Sequence, residues 1–506
     1  MPQEPAAPAE PITTRPAIEP WEPPTSRPAP PPTDVPNIVL LFADDLAPGW
    51  TGFEGHQVVR TPRLNQLAAQ GAWFARCYVH TPMDAPTQAT VLTGQYPHTH
   101  GVTREEGALK RFADTVTERL FRAGYRCGIV GNLRLPDERA WRPGLGLADC
   151  AAIDDGAWNG ATTWVNGREA RAEGYLIDWQ TDRAIAFIEE HRRRPFFLWV
   201  CFRAPREPLA YPPGMESLYP PEAMKPPVTA ELDVTNRPRK LNGSALAKQF
   251  DVHEKTLGEE RSKYAALVTR LDRNVGRLLD HLETSGLSGK TVVVFAAGNG
   301  MALGDHGLFG TGTAFYDEFV RVPLLVRYPR AARAGTKIER VVGLVDLAPT
   351  LLELAGLPRA MVMQGQSFVT LLKEPDDPHW ADEEFFECDA PGAGPGPVPT
   401  GARSGAGSIL AAGAVAQPSG SPPASGGAAF SARGLVTRHY KFVDYLDGSS
   451  TLYDLKRDPD EMEDIGAILN NPSHPRYHDY TRTYGPVQKV LRDRLTLWRK
   501  QTKDLK

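Results

Sequence analysis

Short, wholly apolar runs alternate along this chain with longer segments whose apolar residues recur every three or four positions. The first pattern is typical of strands buried on both faces, and the second of helices that pack one face against a sheet. The runs predict strands over residues 37–43, 126–130, 196–202, 291–296 and 322–328. The amphipathic segments predict helices over residues 61–70, 87–93, 115–123, 178–190 and 264–282. This alternation predicts an α/β fold in which a large, mostly parallel sheet is sandwiched between helices.

The last part of the chain has a different pattern. Residues 435–445 and 451–455 predict strands of a small antiparallel sheet. A terminal helix follows, and its apolar stripe must pack on the main domain to be stable. The stripe consists of Val487, Leu491, Leu495 and Trp498. Residues 433–506 are therefore predicted to form a small C-terminal subdomain.

Proline and glycine divide the chain further. Of its 47 prolines, thirteen lie in residues 1–36 and seven between residues 391 and 423. Residues 1–36 are predicted to be an extended, disordered arm. Residues 389–432 are rich in Gly, Ala, Pro and Ser and contain too little apolar surface to offset the entropy of ordering, so they are predicted to be a disordered insertion. The α/β domain then spans residues 37–388.

Charge and targeting signals exclude several classes of protein. The formal net charge is −4, and a weakly acidic chain without a long basic block argues against nucleic-acid binding. The sequence contains no run of ~20 consecutive apolar residues, so no transmembrane segment is predicted. The N-terminus shows no signal peptide, which favours a cytoplasmic location. The five cysteines are scattered, as expected for buried small side chains rather than for a disulfide framework or a zinc site.

Candidate chemistry lies in the loops that follow the predicted strands, where parallel sheets bind their ligands. Asp44 and Asp45 come directly after the first strand. Adjacent carboxylates suit a hard cation such as Ca²⁺ or Mg²⁺, but a helix cap with a surface salt bridge is an equal alternative. Asn299 could add an amide oxygen, although a turn residue beside two glycines is the simpler interpretation.

Two histidine-containing motifs are further candidates. His98 and His100 lie in YPHTHG, where capping or solvent-facing histidines are more common than a metal pair. Asp305 and His306 are interpreted as a turn.

Several motifs together carry a resemblance to a known family. PNIVLLFADDL, TPMDAPTQATVLTGQYPHTHGV, RAGYRCGIVGN, TVVVFAAGNGMALGDHGLFGTGT and VRVPLLVRYP occur in this order, and TRHYKFVDYLDGSSTLYDLKRDPDEMEDI follows the insertion. This arrangement resembles the sulfatases of the alkaline phosphatase superfamily. The resemblance covers residues 36 to about 497, except for the insertion and a poorly matching stretch near 220–260. It implies the sulfatase fold, with a small C-terminal antiparallel subdomain, and hydrolysis of sulfuric esters as the family activity.

The residues that the resemblance places in the active site depart from the family pattern. Sulfatases make their formylglycine nucleophile from the first residue of Cys(or Ser)-x-Pro-Ser-Arg, and the matching residue here is Asp84. Asp84 has neither a thiol nor a hydroxyl, so no formylglycine can form. Gln88 replaces the arginine of the same motif, which removes a fixed cation and its planar fork.

Other family positions are substituted as well. Asn132 and Arg134 stand where the family has lysine and histidine, and Arg206 stands where it has a second histidine. Gly298 replaces a metal-binding aspartate, and Thr311 replaces a sulfate-binding lysine. Arg134 and Arg206 could bind an anion such as sulfate, phosphate or a carboxylate. The alternative is that they pair with Asp84 or Asp45.

The resemblance also implies a metal site of altered composition. The carboxylate lost at Gly298 is regained at Asp84, so Asp44, Asp45, Asp84 and the amide oxygen of Asn299 would bind Ca²⁺ or Mg²⁺ as a structural ion. The alternative is a site without metal, in which the carboxylates pair with Arg134 or Arg206.

Three functions follow from these substitutions. The first is a pseudoenzyme that uses the sulfatase fold to bind an anionic small molecule or a protein partner. The second is an active, divergent, metal-dependent hydrolase of sulfate or phosphate esters. The third is a structural or assembly subunit.

Overall fold

A computed structural model describes residues 35–105, 107–109, 114–135, 149–153, 158–166, 168–231, 237–242, 244–389 and 430–504. The predicted arm and insertion lie almost wholly outside these residues.

Strands and helices alternate through most of the described chain. The strands are β1 (Asn37–Asp44), β2 (Ala72–Tyr78), β3 (Arg126–Gly131), β4 (Asp149–Ile153), β5 (Thr162–Val165), β6 (Arg168–Arg171), β7 (Phe196–Pro205), β8 (Thr291–Ala297), β9 (Ala302–Leu303), β10 (Phe309–Gly310), β11 (Arg321–Arg327), β12 (Thr336–Gly343), β13 (Glu383–Cys388), β14 (Ala432–Thr437), β15 (Tyr440–Tyr445) and β16 (Ser450–Asp454). The helices are α1 (Pro62–Gln70), α2 (Asp84–Thr93), α3 (Pro97–His100), α4 (Val116–Arg122), α5 (Leu176–His191), α6 (Ala245–His253), α7 (Leu257–Thr284), α8 (Asp317–Val320), α9 (Leu347–Leu354), α10 (Val369–Lys373), α11 (Ile465–Leu469) and α12 (Tyr477–Thr502).

A ten-stranded sheet forms the centre of the fold, in the order β12-β2-β11-β8-β1-β7-β3-β4-β5-β6. Its middle strands β8, β1, β7 and β3 run parallel to one another, whereas β11 is antiparallel to both of its neighbours. Every residue of β1, β7 and β8 is buried, which explains their uninterrupted apolar sequences. Helices α5 and α7 pack against β7. The predicted α/β sandwich is confirmed.

The long helix α7 shows how the amphipathic pattern positions the layers. The apolar stripe predicted from the sequence is wholly or almost wholly buried; it consists of Leu267, Leu271, Val275, Leu278 and Leu282.

Among the described residues, no helix combines the length and the apolarity that crossing a membrane requires.

The second sheet is small and antiparallel, in the order β13-β14-β15-β16. The single strand predicted over residues 435–445 is wrong, because a turn separates β14 from β15. In that turn, the Thr437 hydroxyl oxygen accepts hydrogen bonds from the backbone N–H groups of His439 and Tyr440, at 3.3 and 3.1 Å. The first strand, β13, comes from before the insertion, so the small sheet joins chain segments on both sides of it.

The terminal helix α12 packs through the predicted face, but mainly on this small sheet. The prediction that it packs on the main domain is therefore only partly right: from that domain the Tyr96 ring meets the Trp498 ring at 5.1 Å between centroids. Leu491, Leu495 and Trp498 are buried, and the Trp498 ring stacks on Phe385 at 4.8 Å between centroids. Beyond the helix, the carboxylate of Asp504 accepts hydrogen bonds from the wholly buried Arg433 at 2.6 and 3.1 Å.

A buried lysine connects the small sheet to the main body. Lys441 of β15 has no exposed side-chain surface, and its ammonium group donates to Asp317 of α8 at 2.6 Å and to Glu461 at 2.9 Å. The nearby carboxylates offset the cost of burial and raise the pKa of Lys441. The charge of this lysine therefore holds two otherwise repelling carboxylates together.

Replacing this lysine tests how firmly the two sheets are joined. We expect Lys441→Met to lower the free energy of unfolding by ~3–5 kcal/mol, because it leaves the buried carboxylate of Glu461 without its ammonium partner, whereas Asp317 keeps the hydrogen bond from Arg321 at 2.6 Å. Chemical denaturation measures the change. The matched control is Lys489→Met, since Lys489 is 80% exposed and makes one surface ion pair; its effect should stay below about 0.5 kcal/mol. Equal effects of the two substitutions would contradict this interpretation.

Candidate active site

Three neighbouring strands bring the candidate residues to one edge of the sheet. Asp44 ends β1 and is in register with Pro205 at the end of β7, while Ala43 is in register with Ala297 at the end of β8. The residues that follow these ends therefore lie side by side: Asp45 after β1, Arg206 after β7 and Asn299 after β8. This is the carboxyl edge, where parallel sheets bind ligands.

The backbone at Asp45 takes an uncommon conformation. Its φ angle is 62°, in the left-handed region that non-glycine residues seldom adopt. Tyr264 of α7 stabilises the turn, because its hydroxyl donates to the carbonyl oxygen of Asp45 at 2.7 Å and accepts from the N–H of Ala47 at 2.9 Å. The turn directs the Asp45 carboxylate to Asn299, whose side-chain amide donates to it at 2.7 Å.

Asp84 enters the same site from helix α2, of which it is the first residue. Glu105 binds the amino end of this helix, since its carboxylate accepts from the N–H of Asp84 at 2.8 Å and from the N–H of Ala85 at 3.3 Å. The helix start therefore carries two acidic side chains.

Three carboxylates converge where these elements meet. One oxygen from each of Asp44, Asp45 and Asp84 lies within 4.8 Å of the others, and all three residues are buried. The Arg206 guanidinium lies among them. Its Nη1 donates to Asp84 and to the two oxygens of Asp44 at 3.3 and 3.5 Å, and its Nε lies 4.0 Å from Asp45 Oδ2.

Three of the substituted positions, Gln88, Asn132 and Arg134, surround this cluster. The Gln88 amide, one turn along α2 from Asp84, donates to the carbonyl oxygen of Asn132 at 2.9 Å and accepts from the N–H of Arg134 at 2.7 Å. The Asn132 amide donates to Asp44 at 3.3 Å, and Arg134 Nε lies 3.7 Å from Asp84 Oδ2. Gln88 thus holds the loop after β3 as a neutral linker, and Arg134 contributes a second positive charge.

The pKa shifts reflect burial and the sharing of two cations by several acids. Burial raises the pKa of Asp44 well above its usual value, and the charge of Asp84 adds to this. Burial also raises the pKa of Asp45 to about 7. Burial acts to raise the pKa of Asp84 too, but Arg206 and Arg134 outweigh it and lower that pKa. Burial and the Asp84 charge raise the pKa of Glu105 to about 7.

The other two substituted positions border the cluster. A Cβ atom at Gly298 would lie 3.8 Å from Asp84 Oδ1, so an aspartate at 298 would direct its carboxylate into the same space. Thr311 is half-buried and follows Gly310, where a Cβ atom would lie 3.3 Å from the carboxylate of Glu207. Glu207 directly follows Arg206, and burial raises its pKa.

The two histidine motifs make contacts outside this cluster. His98 binds Glu387 at 2.9 Å, and the His100 ring lies 3.0 Å from the Thr90 hydroxyl. His306 stacks on Tyr316 with 3.7 Å between ring centroids. Asp305 and His306 lie in a single tight helical turn, in agreement with their interpretation as a turn. His98 and His100 belong to the short helix α3 and are largely buried, so a solvent-facing position is wrong for them.

The carboxylate cluster fits a hard cation in its donor set. Asp44, Asp45 and Asp84 could hold a metal ion. Two buried oxygens, Asp45 Oδ2 and Asn299 Oδ1, have no hydrogen-bond partner among the described residues. The cations that the structure itself provides at this place are the guanidinium groups of Arg206 and Arg134.

Comparison with known proteins identifies the family. The profile of the family described as Sulfatase matches residues 36–357, more than half of the chain. The chain belongs to the sulfatase family. A similar relative is the N-acetylglucosamine-6-O-sulfatase of Bacteroides thetaiotaomicron, 26% identical over 402 residues that cover 67% of this chain and 71% of the relative. Members of this family are typically metal-dependent.

Solved structures agree with the fold. One is a protein in complex with its substrate D-glucosamine-2-N,6-O-disulfate, which aligns with a TM-score of 0.77 and 22% identity over 93% of this chain and 99% of that one. Another is the phosphonate monoester hydrolase of Agrobacterium radiobacter, with a TM-score of 0.66 and 21% identity over 92% and 96% of the two chains. Both have the alkaline phosphatase-like sulfatase fold.

Three residues of this site have no signal in the sequence. Glu105 lies in a loop without a motif, and its role depends on the position of α2. Glu207 could have been suspected only because it adjoins Arg206. Tyr264 belongs to the apolar pattern of α7, and nothing in that pattern indicates that its hydroxyl supports Asp45.

The contacts of Asp84 generate a test of anion binding. We expect Asp84→Ala to bind inorganic sulfate at least about tenfold more tightly than the wild type, because it removes the carboxylate that both arginines share, and a charged hydrogen bond such as that from Arg206 to Asp84 is worth ~1.5–3 kcal/mol. Isothermal titration measures the affinity. Asp182→Ala is the control, since Asp182 pairs with Arg277 on the surface. Equal sulfate affinity in Asp84→Ala and wild type would contradict the pairing.

Proposed function

We propose that this protein is a catalytically silent member of the sulfatase family, which uses the fold to bind a ligand or a protein partner. The observation that carries this proposal is the state of residue 84. At the position that matches the family nucleophile, the side chain is a carboxylate that is bonded to Arg206 and lies 3.7 Å from Arg134.

The chemistry of residue 84 supports the loss of the family reaction. A formylglycine requires oxidation of a thiol or hydroxyl carbon, which Asp84 does not offer. Its carboxylate is committed to two guanidinium groups, and a low pKa of this kind makes a weak nucleophile. Losing a single charge-stabilising donor commonly costs ~10²–10³ in rate, and here several supporting groups are replaced together.

The charge balance of the cleft points the same way. Among the described residues, the carboxyl groups of Asp44, Asp45, Asp84, Glu105 and Glu207 outnumber the guanidinium groups of Arg134 and Arg206. Burial raises the pKa of all but Asp84, which reduces the negative charge, but the ionised carboxylates still compete with a sulfate ester for the two arginines. An anionic ligand would have to replace Asp84 as the partner of the two arginines.

A Ca²⁺ or Mg²⁺ ion, if bound, would be held by Asp44, Asp45, Asp84 and Asn299. It would supply positive charge to the cluster and tie β1, β8 and α2 together. With a carboxylate at residue 84 among its ligands, such an ion would have a structural role.

A second candidate is a divergent metal-dependent hydrolase. The observation that favours it is the cluster of three carboxylates in a fold that also supports a phosphonate monoester hydrolase. Such an enzyme would use the ion to activate water, without a covalent nucleophile.

A substrate screen separates the two candidates. We expect no turnover above background with aryl sulfates, 6-O-sulfated glucosamines, phosphate monoesters or phosphonate monoesters. The protein is produced together with a formylglycine-generating enzyme and assayed with Ca²⁺, Mg²⁺ or Mn²⁺. A sulfatase with Cys at its nucleophile position serves as the positive control. Turnover of any ester that disappears in Asp84→Ala would overturn the proposal and establish the divergent hydrolase.

A further inference from the structure

The guanidinium of Arg206 lies at the centre of the carboxylate cluster. It makes hydrogen bonds to Asp44 and Asp84 and approaches Asp45 to 4.0 Å. The side chain is only 15% exposed, so these contacts are screened little by water. A single group thus contacts every carboxylate that a cation in this cluster would contact.

The origin of this contact lies in the register of the sheet. Arg206 directly follows Pro205, which is paired with Asp44. An arginine at this position therefore begins beside the cluster, and its planar fork suits several carboxylate oxygens at once. A histidine, which the family has there, is shorter and is not permanently charged.

We propose that Arg206 is a built-in counter-ion that takes the place of the divalent cation in this cluster and keeps the protein's affinity for metal ions low. This inference rests on the proposed catalytic silence, because a cleft without turnover has no need of an exchangeable ion. The carboxylate cluster is then stabilised by Arg206 whether or not divalent metal ions are available.

Two features of the cluster indicate that the replacement is incomplete. Asp45 Oδ2 and Asn299 Oδ1 are buried and accept no hydrogen bond from the described residues. A spherical cation can be approached by oxygens from all sides, whereas a guanidinium donates only in its own plane. The ligand set for a metal ion is therefore retained, and the arginine competes with the ion for it.

Arg134 provides the matched comparison. It carries the same charge but approaches the cluster from the side of Asp84, with its Nε 3.7 Å from Oδ2, and it does not lie among the three carboxylates as Arg206 does. If Arg206 acts by occupying the centre of the cluster, removal of Arg134 should not create a metal site. If general positive charge were the cause, both arginines would matter equally.

The experiment compares wild type, Arg206→Met and Arg134→Met in titrations with Ca²⁺ and with Mg²⁺, and in thermal melting with EDTA or added Ca²⁺. We expect the wild-type melting temperature to be insensitive to both additions. Arg206→Met should melt at a lower temperature in EDTA, regain stability with Ca²⁺, and bind Ca²⁺ at least tenfold more tightly than wild type. Arg134→Met should show no such gain.

Other outcomes would overturn the inference. These are equal Ca²⁺ affinity in wild type and Arg206→Met, no Ca²⁺ binding by Arg206→Met, or an equal gain in Arg134→Met. If Arg206→Met does not fold, Arg206→His takes its place with the same expectations, since histidine is the residue of the family pattern. Turnover by the wild type in the ester screen would refute the proposed function separately, whatever the metal titrations give.

Discussion

Buried carboxylates repel one another, so they stay close together only when a cation pairs with them or a proton neutralises one of them, and this constraint governs the site. The parallel register of β1, β7 and β8 brings Asp44 and Asp45 to one edge of the sheet, and the start of α2 adds Asp84. Their oxygens lie within 4.8 Å of one another. The buried strands fix the backbone from which Asp44 and Asp45 project, so their repulsion is relieved by positive charge or by protonation at this point.

The substitutions in the chain are mutually consistent under that constraint. A carboxylate is absent at Gly298 and present at Asp84, and the Cβ position of residue 298 lies 3.8 Å from the Asp84 carboxylate. Aspartates at both positions would crowd the same space with negative charge. Arg206 and Arg134 place two permanent positive charges beside the cluster. They offset part of its negative charge, and the raised pKa values of Asp44 and Asp45 favour protonation of the rest.

Much of the fold could be predicted from the sequence because burial leaves a direct mark on it. Strands enclosed on both faces read as apolar runs, and α7 shows its stripe at helical spacing. The pattern predicts one strand over residues 435–445 and not the turn between β14 and β15, because apolar residues continue on both sides of that turn. The sequence does not predict that β13, which precedes the insertion, pairs with β14, which follows it, because strand pairing across a long insertion has no local signal. The motifs indicate which residues lie at the carboxyl edge of the sheet, but they do not decide whether Arg206 pairs with the carboxylates. That pairing depends on distances of a few ångströms between loops, which no sequence pattern specifies. Glu105 and Glu207 were missed for the same reason.

The central claim is that a guanidinium, and not a metal ion, holds the three carboxylates of the wild-type protein together. The most direct measurement is a crystal structure of the wild type grown with excess Mn²⁺, with diffraction data collected at the manganese absorption edge. The account predicts planar density for the Arg206 side chain between Asp44 and Asp84, and no anomalous peak within the cluster. A strong anomalous peak surrounded by Asp44, Asp45, Asp84 and Asn299, with Arg206 turned away from them, would contradict it.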